Sequence, residues 1–316
     1  MMESASLIPN ASEDIESTLW FKPQGSGAKN DDQYLIYFIP GNPGLISYYK
    51  IFMYTLSSLL ECSLLSSISA DVCGSSLPGF GTAKSETIIK SRLPAGLEDQ
   101  ISNTEKLIKI AITTHKALMS KTGANAQPKV ILMGHSVGAY ILLELLRRKR
   151  EEQSRLEDVD IVGGVMLFPT VTEIGQSRNG RIMRVSVVED HTTHRIYLIR
   201  DTNQVLLKIP FFIAIVAAIA KILTFAFSAT TLATIIGLLV RIPISVASAS
   251  AEFIKSPRGV EQALYMARDE MEIITKDKWT HEIWGDAEAT RQTSEDSPVP
   301  LYFYFGKNVS PEETIK

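Results

Sequence analysis

Residues 129–150 read KVILMGHSVGAYILLELLRRKR, and this stretch decides the fold class. An apolar run, Val130–Met133, predicts a buried strand, and helical spacing over Val137–Arg150 predicts a helix directly after it. The turn between them consists of Gly134, His135, Ser136, Val137 and Gly138. Such a strand–turn–helix is typical of a nucleophile elbow, because the glycines let backbones pass closely while the serine Oγ projects above the sheet. The flanking strand and helix favour a nucleophile at Ser136 over the alternative, a structural serine.

A site for negative charge is predicted beside Ser136. The following helix puts the Val137 N–H and the positive end of the helix dipole next to any oxyanion. A second donor is expected from the loop after an earlier strand. The run Tyr34–Ile39 predicts that strand, and it stops at the sequence PGNPG. We therefore predict that Gly41 and Asn42 complete an oxyanion hole, with a simple Pro/Gly turn as the alternative.

Strands and helices alternate through residue 168, which is typical of a mostly parallel sheet covered by helices on both faces. In chain order, the predicted elements cover residues 34–39, 45–60, 68–73, 97–121, 130–133, 137–150 and 161–168. The pattern then breaks, because residues 205–254 are almost continuously apolar. Residues 261–284 return to charged helical spacing, and Leu301–Phe305 predicts one more strand.

Composition sets the broad class of the protein. The chain has 316 residues, 45% of them hydrophobic, which is enough for one large α/β domain or a domain with an inserted cap. A net charge of −3 gives no reason to expect nucleic acid as a partner. Two cysteines, Cys62 and Cys73, are too few for a disulfide framework and suit a reducing compartment. The acidic N-terminus predicts no secretory signal, and we predict neither a metal nor a cofactor.

The partners that a catalytic serine needs are not visible. In this fold the triad order along the chain is Ser, then Asp or Glu, then His. The chain's histidines are His115, His135, His191, His194 and His281, and none follows the strand at 301–305. His135 lies inside the turn and cannot serve its neighbour as a base, which leaves His281 as a weak candidate. A serine without its base loses orders of magnitude in rate.

The chain resembles the lipid droplet-associated serine hydrolase family. The residues that carry the resemblance are Pro40 to Gly44, Tyr48, Tyr49, Phe52, Gly134 to Tyr140, Phe168 to Thr170, Ser177 to Gly180 and Leu301 to Gly306. It covers roughly residues 30–308. The resemblance implies an α/β-hydrolase fold with a cap over the active site, a serine hydrolase acting on esters or lipids, and attachment to lipid droplets.

Two segments depart from the family. Beyond the strand at 301–305 the family continues into a triad Asp, a last strand and the His, whereas here Val309 stands where the acid is expected. The last strand, the helix after it and the base are missing, so we expect weak or no activity from the chain as written. The segment 185–204 interrupts a region that would otherwise run smoothly. Both departures begin with Val-Ser, whose codons can spell a splice donor, and our hypothesis is that both are unspliced intron read as protein.

The apolar segment allows three interpretations. Residues 222–240 carry no charge and have the length of a single membrane span, although threonines and serines dilute them. In the resembling family this segment belongs to the cap. We favour a cap helix pair that dips into a lipid monolayer and keeps Lys208, Lys221 and Arg241 at the surface. A bilayer span and a cap buried only in protein are the alternatives.

These observations lead to one division of the chain. It comprises an N-terminal tail (1–30), a hydrolase core (31–175), a cap region (176–296) with the insert 185–204 and the membrane-associating segment 205–254, and a last core strand with a truncated tail (297–316). We expect hydrolysis of lipid or other carboxylic esters at the cytosolic face of lipid droplets, through an acyl-serine at Ser136. The endoplasmic reticulum membrane is the alternative location. The alternative function is a non-catalytic droplet- or membrane-binding protein.

Overall fold

The computed structural model describes residues 18–22, 32–63, 68–81, 94–121, 127–172, 186–189, 196–199, 212–256, 258–280, 283–284 and 298–305. The strands are β1 Thr18–Phe21, β2 Asp32–Ile39, β3 Ile68–Ser75, β4 Lys129–His135, β5 Ile161–Leu167, β6 Ser186–Glu189, β7 Ile196–Ile199 and β8 Leu301–Tyr304. The helices are α1 Lys50–Ser63, α2 Leu97–Ser120, α3 Val137–Arg150, α4 Phe212–Phe225, α5 Ala229–Val240, α6 Ile244–Lys255 and α7 Gly259–Ile273.

The predicted, mostly parallel sheet is confirmed. Its strand order is β1-β3-β2-β4-β5-β8, and every neighbouring pair is parallel except β1 with β3. Helices α1, α2 and α3 each connect one parallel strand to the next, as the alternating pattern requires. Parallel strands end on the same edge of a sheet, so the loop after β2 and the turn after β4 come together there.

The edge strand β1 corrects one prediction, because it lies in the segment assigned to an N-terminal tail. Trp20 and Phe21 are buried, and the Trp20 Nε1–H donates to Asp71 Oδ2 at 2.8 Å. Two aromatic side chains and one buried acceptor therefore anchor a strand too short to show an alternating pattern. The predicted helix 45–60 also differs, since it opens with a 3-10 helix at Ile46–Tyr49 before α1.

Helix α3 forms the centre of the core. Its first ten residues are all buried, which fixes the start of the helix firmly behind β4. Its basic end, RRKR, is engaged within the protein. Arg147 pairs with Glu144 and Glu151, and Arg148 pairs with Glu98. These cations also complement the negative end of the helix dipole, so the basic run has a structural explanation.

The apolar segment folds as several short helices. Helix α4 ends at Phe225, and Ser228 caps α5 by accepting the Thr231 N–H at 3.1 Å. Lys255 Nζ donates to the carbonyls of Thr224 and Phe227, at 2.9 and 2.7 Å, and so satisfies the end of α4. Residues 222–240 are therefore not one spanning helix. Among the residues that the structure describes, no helix combines the length and the apolar character needed to cross a membrane.

Helix α7 is shorter than the helix predicted over residues 261–284. It ends at Ile273, and the Trp279 N–H then donates to Asp277 Oδ1 at 3.0 Å. Asp side chains that bond the backbone two residues on offer an alternative to helix, and this bond explains the difference.

Two further predictions fall partly outside the described residues. Within the insert 185–204, β6 and β7 pair as an antiparallel hairpin, and the rest of the insert is not described. Val309 and the tail from residue 306 onwards also lie outside the described residues. Strand β8 pairs with β5 at one end of the sheet order, as expected for the last visible core strand.

Candidate active site

The backbone of Ser136 adopts the strained conformation of an elbow. Its φ is 53° and its ψ is −121°, a region that side-chain-bearing residues rarely occupy. Three hydrogen bonds hold it there: the Ser136 N–H donates to Leu167 O at 3.0 Å, and Ser136 O accepts from the Ala139 and Thr170 N–H groups at 3.0 and 3.2 Å. Strain of this kind persists only where the surroundings enforce it, and it clusters at functional sites.

The glycines around Ser136 are required by close backbone contacts. A Cβ at Gly134 would lie 2.4 Å from Gly138 O, and a Cβ at Gly138 would lie 2.3 Å from Ile39 O. A Cβ at Gly41 would lie 3.1 Å from the Cβ of Ser136. The structure therefore brings the predicted elbow and the loop after β2 into direct contact, as the motif spacing indicates.

Two backbone N–H groups remain as candidate oxyanion donors. Ser136 is the N-cap of α3, so the Val137 N–H opens the helix, and neither it nor the Asn42 N–H finds an acceptor among the described residues. The Gly41 N–H instead donates to the Tyr49 hydroxyl at 3.2 Å. The oxyanion role of all three residues stays a prediction, and of their N–H groups only that of Gly41 already has an acceptor among the described residues.

His135 is the second hydrogen-bond partner of the Tyr49 hydroxyl. The Tyr49 hydroxyl lies 2.9 Å from His135 Nδ1. Because the Tyr49 oxygen accepts the Gly41 N–H, we assign its proton to His135 Nδ1, which places the imidazole hydrogen on Nε2. Burial lowers the pKa of His135, which favours the neutral ring. His135 thus hydrogen-bonds within the elbow, and its exclusion as a base stays a prediction.

The Ser136 hydroxyl contacts another hydroxyl. Its Oγ lies 3.1 Å from Thr170 Oγ1, and no imidazole or carboxylate bonds to it within the described part of the chain. Of the remaining histidines, His115 is buried beside Asp71 and Trp20, on α2. His191, His194 and His281 lie outside the described residues.

The loop after β2 is tied to the cap. Asn42 Nδ2 donates to Ala263 O at 3.0 Å and to Glu270 Oε1 at 2.9 Å, and both partners belong to α7. The Glu270 side chain is buried, with only 5% of its residue surface exposed. Burial raises its pKa to about 8, and the charge of neighbouring Asp269 adds to the rise. Glu270 is therefore mostly a neutral carboxylic acid at pH 7.

Three residues of the site were not assigned a role from the sequence. Tyr49 and Thr170 belong to stretches that carry the family resemblance, but nothing in the sequence indicates which residues they contact. Glu270 gave no signal, because it stands in a charged helical pattern, ARDEME, that reads as a solvated face.

Known proteins are similar to this chain in sequence. A family model described as lipid-droplet associated hydrolase matches residues 32–310. A lipid droplet-associated hydrolase of Gallus gallus is 32% identical over 161 residues, which are 49% of this chain and 43% of that protein. The Homo sapiens lipid droplet-associated hydrolase is 28% identical over 148 residues, 47% of this chain and 41% of that protein. The chain thus spans less than half the length of the curated relatives that it matches.

Solved structures are also similar to part of the chain. A soluble variant of monoglyceride lipase from Saccharomyces cerevisiae is 13% identical with a TM-score of 0.34, and the match covers 55% of this chain and 51% of that one. A siderophore hydrolase from Aspergillus fumigatus is 18% identical with a TM-score of 0.29, over 49% of this chain and 40% of the other.

Proposed function

Because the chain belongs to the lipid-droplet associated hydrolase family, we propose that it hydrolyses lipid or other carboxylic esters with Ser136 as the nucleophile. The observation that carries the proposal is the elbow itself, in which Ser136 has a φ of 53° directly before the first turn of α3. Strain at a serine between a buried strand and a helix is otherwise hard to explain, since a structural serine needs no such backbone.

The proposed reaction is acyl transfer to water in two steps. Ser136 Oγ attacks the ester carbonyl carbon, its proton passes to a solvent water molecule, and the carbonyl oxygen becomes an oxyanion. The N–H groups of Val137 and Asn42 would stabilise this charge, helped by the positive end of the α3 dipole. Collapse of the oxyanion breaks the bond to the alkoxide, which takes a proton from solvent and departs as the alcohol, and an acyl-serine remains. Water then attacks the acyl-serine, so that the carboxylic acid is released and the Ser136 hydroxyl is restored. The Thr170 hydroxyl, 3.1 Å from Ser136 Oγ, would orient the nucleophile before attack.

Labelling with a fluorophosphonate tests the nucleophile. We expect the probe to modify Ser136 faster than any other serine of the folded chain, because the helix dipole favours the alkoxide. Peptide mass spectrometry over a time course measures the rate at each serine. Ser136→Ala should abolish labelling at this position, while Thr170→Ala should retain it at a lower rate. A Ser136 that reacts no faster than exposed serines would refute the proposal.

The same experiment addresses the base. Within the described residues Ser136 Oγ bonds Thr170 Oγ1 and no imidazole, so we expect slow labelling of Ser136. His281 lies outside the described residues, and the variant His281→Ala tests it as the base. Strong labelling of the parent chain that His281→Ala removes would assign the base to His281.

We also propose that the outer face of α4 and α5 holds the protein on the lipid monolayer of a droplet. Large apolar side chains on this face lie open to solvent, with Phe225 89%, Leu239 79%, Leu238 75% and Ile222 73% exposed. Exposed apolar side chains that join into one patch mark a membrane or partner surface in soluble proteins. Its helices suit shallow insertion, in which apolar side chains enter the acyl boundary and the polar face stays in water.

Flotation with triolein droplets coated in phosphatidylcholine tests the surface. Replacing Leu238, Leu239 and Val240 together by Gln should lower partitioning at least tenfold, given roughly 1.5–3 kcal/mol for each buried apolar side chain. Ile110→Gln is the matched control, because Ile110 is 60% exposed on α2, in the core domain. Equal loss in both variants would place the binding surface elsewhere. Droplet binding without any reaction at Ser136 would favour a non-catalytic lipid-binding protein.

A further inference from the structure

We propose that Glu270 is a positioning residue of the site: it holds the Asn42 side chain from the cap and so fixes the Asn42 N–H as an oxyanion donor. The inference rests on the proposed function, since it assigns the residue that positions one of its two oxyanion donors. Glu270 touches neither Ser136 nor, by its place in the cap, the reacting atoms, and it acts only through Asn42.

Two hydrogen bonds hold the Asn42 side chain through its amide nitrogen. Its Nδ2 has two hydrogens, and both are used, one by Ala263 O at 3.0 Å and one by Glu270 Oε1 at 2.9 Å. Its Oδ1 is buried and has no partner among the described residues. A buried carbonyl oxygen without a donor is costly, so its environment should contain one.

The environment of the Glu270 carboxyl favours its neutral form. Burial raises its pKa to about 8, while the hydrogen bond from Asn42 lowers the pKa. A neutral carboxylic acid can accept a hydrogen bond on one oxygen and donate from the other, which matches the donor and the acceptor of a carboxamide. Within the described chain Glu270 forms no ion pair that would favour the carboxylate, and Asp269 beside it disfavours a second charge.

Helix α7 is fixed in place by contacts that do not involve Glu270. Gln262 bonds both backbone groups of Ala95, with Oε1 accepting and Nε2 donating, each at 2.8 Å. Asp269 Oδ2 accepts the Leu97 N–H at 3.0 Å, at the first turn of α2. These bonds attach the helix to the core domain. Losing the Glu270 carboxyl should therefore loosen the Asn42 side chain, which keeps only its bond to Ala263 O, without detaching α7.

The test compares two substitutions at one position in the full chain. Glu270→Gln keeps one acceptor and one donor of nearly the same shape, whereas Glu270→Met keeps the volume and removes both. We expect amide hydrogen exchange in the peptide containing Asn42 to rise about tenfold in Glu270→Met, as loss of a buried hydrogen bond implies. Glu270→Gln and the control Glu261→Met, on the same helix, should match the parent.

The rate of Ser136 labelling is the functional readout. It should fall at least about tenfold in Glu270→Met, because an oxyanion donor that is no longer held contributes less, and it should recover in Glu270→Gln. Asn42→Ala supplies the same comparison if Glu270→Met does not fold, since it removes the side chain and keeps the N–H. Unchanged exchange in the folded Met and Ala variants would overturn the inference.

The two proposals fail differently. If exchange near Asn42 rises in Glu270→Met but labelling does not depend on Ser136, the proposed nucleophile is wrong while the positioning contact stands. If labelling depends on Ser136 but Glu270→Met matches the parent in both readouts, only the positioning role is wrong. A Glu270→Gln variant that behaves like Glu270→Met would also overturn it, because the paired hydrogen bonds would not be what holds Asn42.

Discussion

The elbow around Ser136 and the outer face of α4 and α5 place opposite demands on their residues. At the elbow, Gly134 and Gly138 have no room for a single added carbon. On the outer face, Leu238 and Leu239 contact little, and more than 70% of each is exposed (75% and 79%). Close packing limits which residues fit at the elbow, whereas the amount of exposed apolar area matters on the outer face. Substitutions at the elbow should therefore change stability, and substitutions on the outer face should change lipid affinity.

The largest effect should come from filling the elbow. Gly138→Val puts a branched side chain where a Cβ alone would lie 2.3 Å from Ile39 O, so α3 must move from the sheet. We expect a loss of more than about 3 kcal/mol in the free energy of unfolding, at the upper end for overpacking. Urea denaturation measures it.

Gly163→Ala is the matched control for the elbow. Gly163 lies in β5 of the same sheet, and its nearest atoms to an added Cβ are 3.9 Å away. That change should cost less than about 1 kcal/mol. Equal losses in the two variants would mean that the close contacts at the elbow do not set its tolerance.

We expect an effect of intermediate size on the free energy of unfolding at His115, which lies on α2. Burial, with the Lys22 charge, lowers the pKa of His115 to about 4. The unfolded chain therefore binds a proton first, so this contribution to stability is complete above pH 6.5 and is lost as the pH falls toward 4. Between pH 7 and pH 5 the parent should lose about 2 kcal/mol more than His115→Met, which keeps the volume.

Thermal and urea unfolding across this pH range measure the difference. The raised pKa of Asp71, caused mainly by burial, gives the opposite slope, because its protonated form is favoured in the fold. Both proteins retain Asp71, so the difference between the two curves reports the titration of His115 together with its coupling to Asp71, whose Oδ2 lies 3.7 Å from His115 Nε2. Parallel curves would show that His115 titrates normally in the folded chain.

The smallest effect on stability should come from the outer face. Replacing Leu238, Leu239 and Val240 together by Gln, a good helix former, should change the free energy of unfolding by less than about 0.5 kcal/mol. Leu232→Gln on the same helix is the control, because Leu232 is buried against Ala247 and Ala251. It should cost at least about 2 kcal/mol. A triple variant as unstable as Leu232→Gln would mean that this face packs against protein.

Local patterns were enough to predict the elbow, and they failed where distant residues decide the structure. The spacing of Gly134, Ser136 and Gly138 between a strand and a helix is contained in one short stretch, so it could be read directly. The same holds for the parallel sheet, since each strand shows its own apolar run. The partner of Asn42 could not be read, because Glu270 is 228 positions away and its neighbours are charged.

The apolar segment is a second region whose structure depends on residues distant in the sequence. Its lack of charge between residues 222 and 240 left a single spanning helix open beside the favoured helix pair, because hydropathy averages over a window and ignores caps. The break instead depends on Ser228 as a helix cap and on Lys255, whose amine reaches back to Thr224 and Phe227. Strand β1 escaped prediction because its anchor, Asp71, lies 51 positions from Trp20.

The bonds between Asn42 and α7 also bear on the order in which parts of the chain fold. They join groups 221 and 228 positions apart, so they close among the longest loops in the chain and form late in folding. During synthesis at about 5–20 residues per second, Ser136 leaves the ribosome several seconds before Glu270. The elbow can therefore fold while Asn42 still lacks its partners on α7. If the proposed function holds, Ser136 reaches its final backbone conformation before the proposed oxyanion donor at Asn42 is held in place.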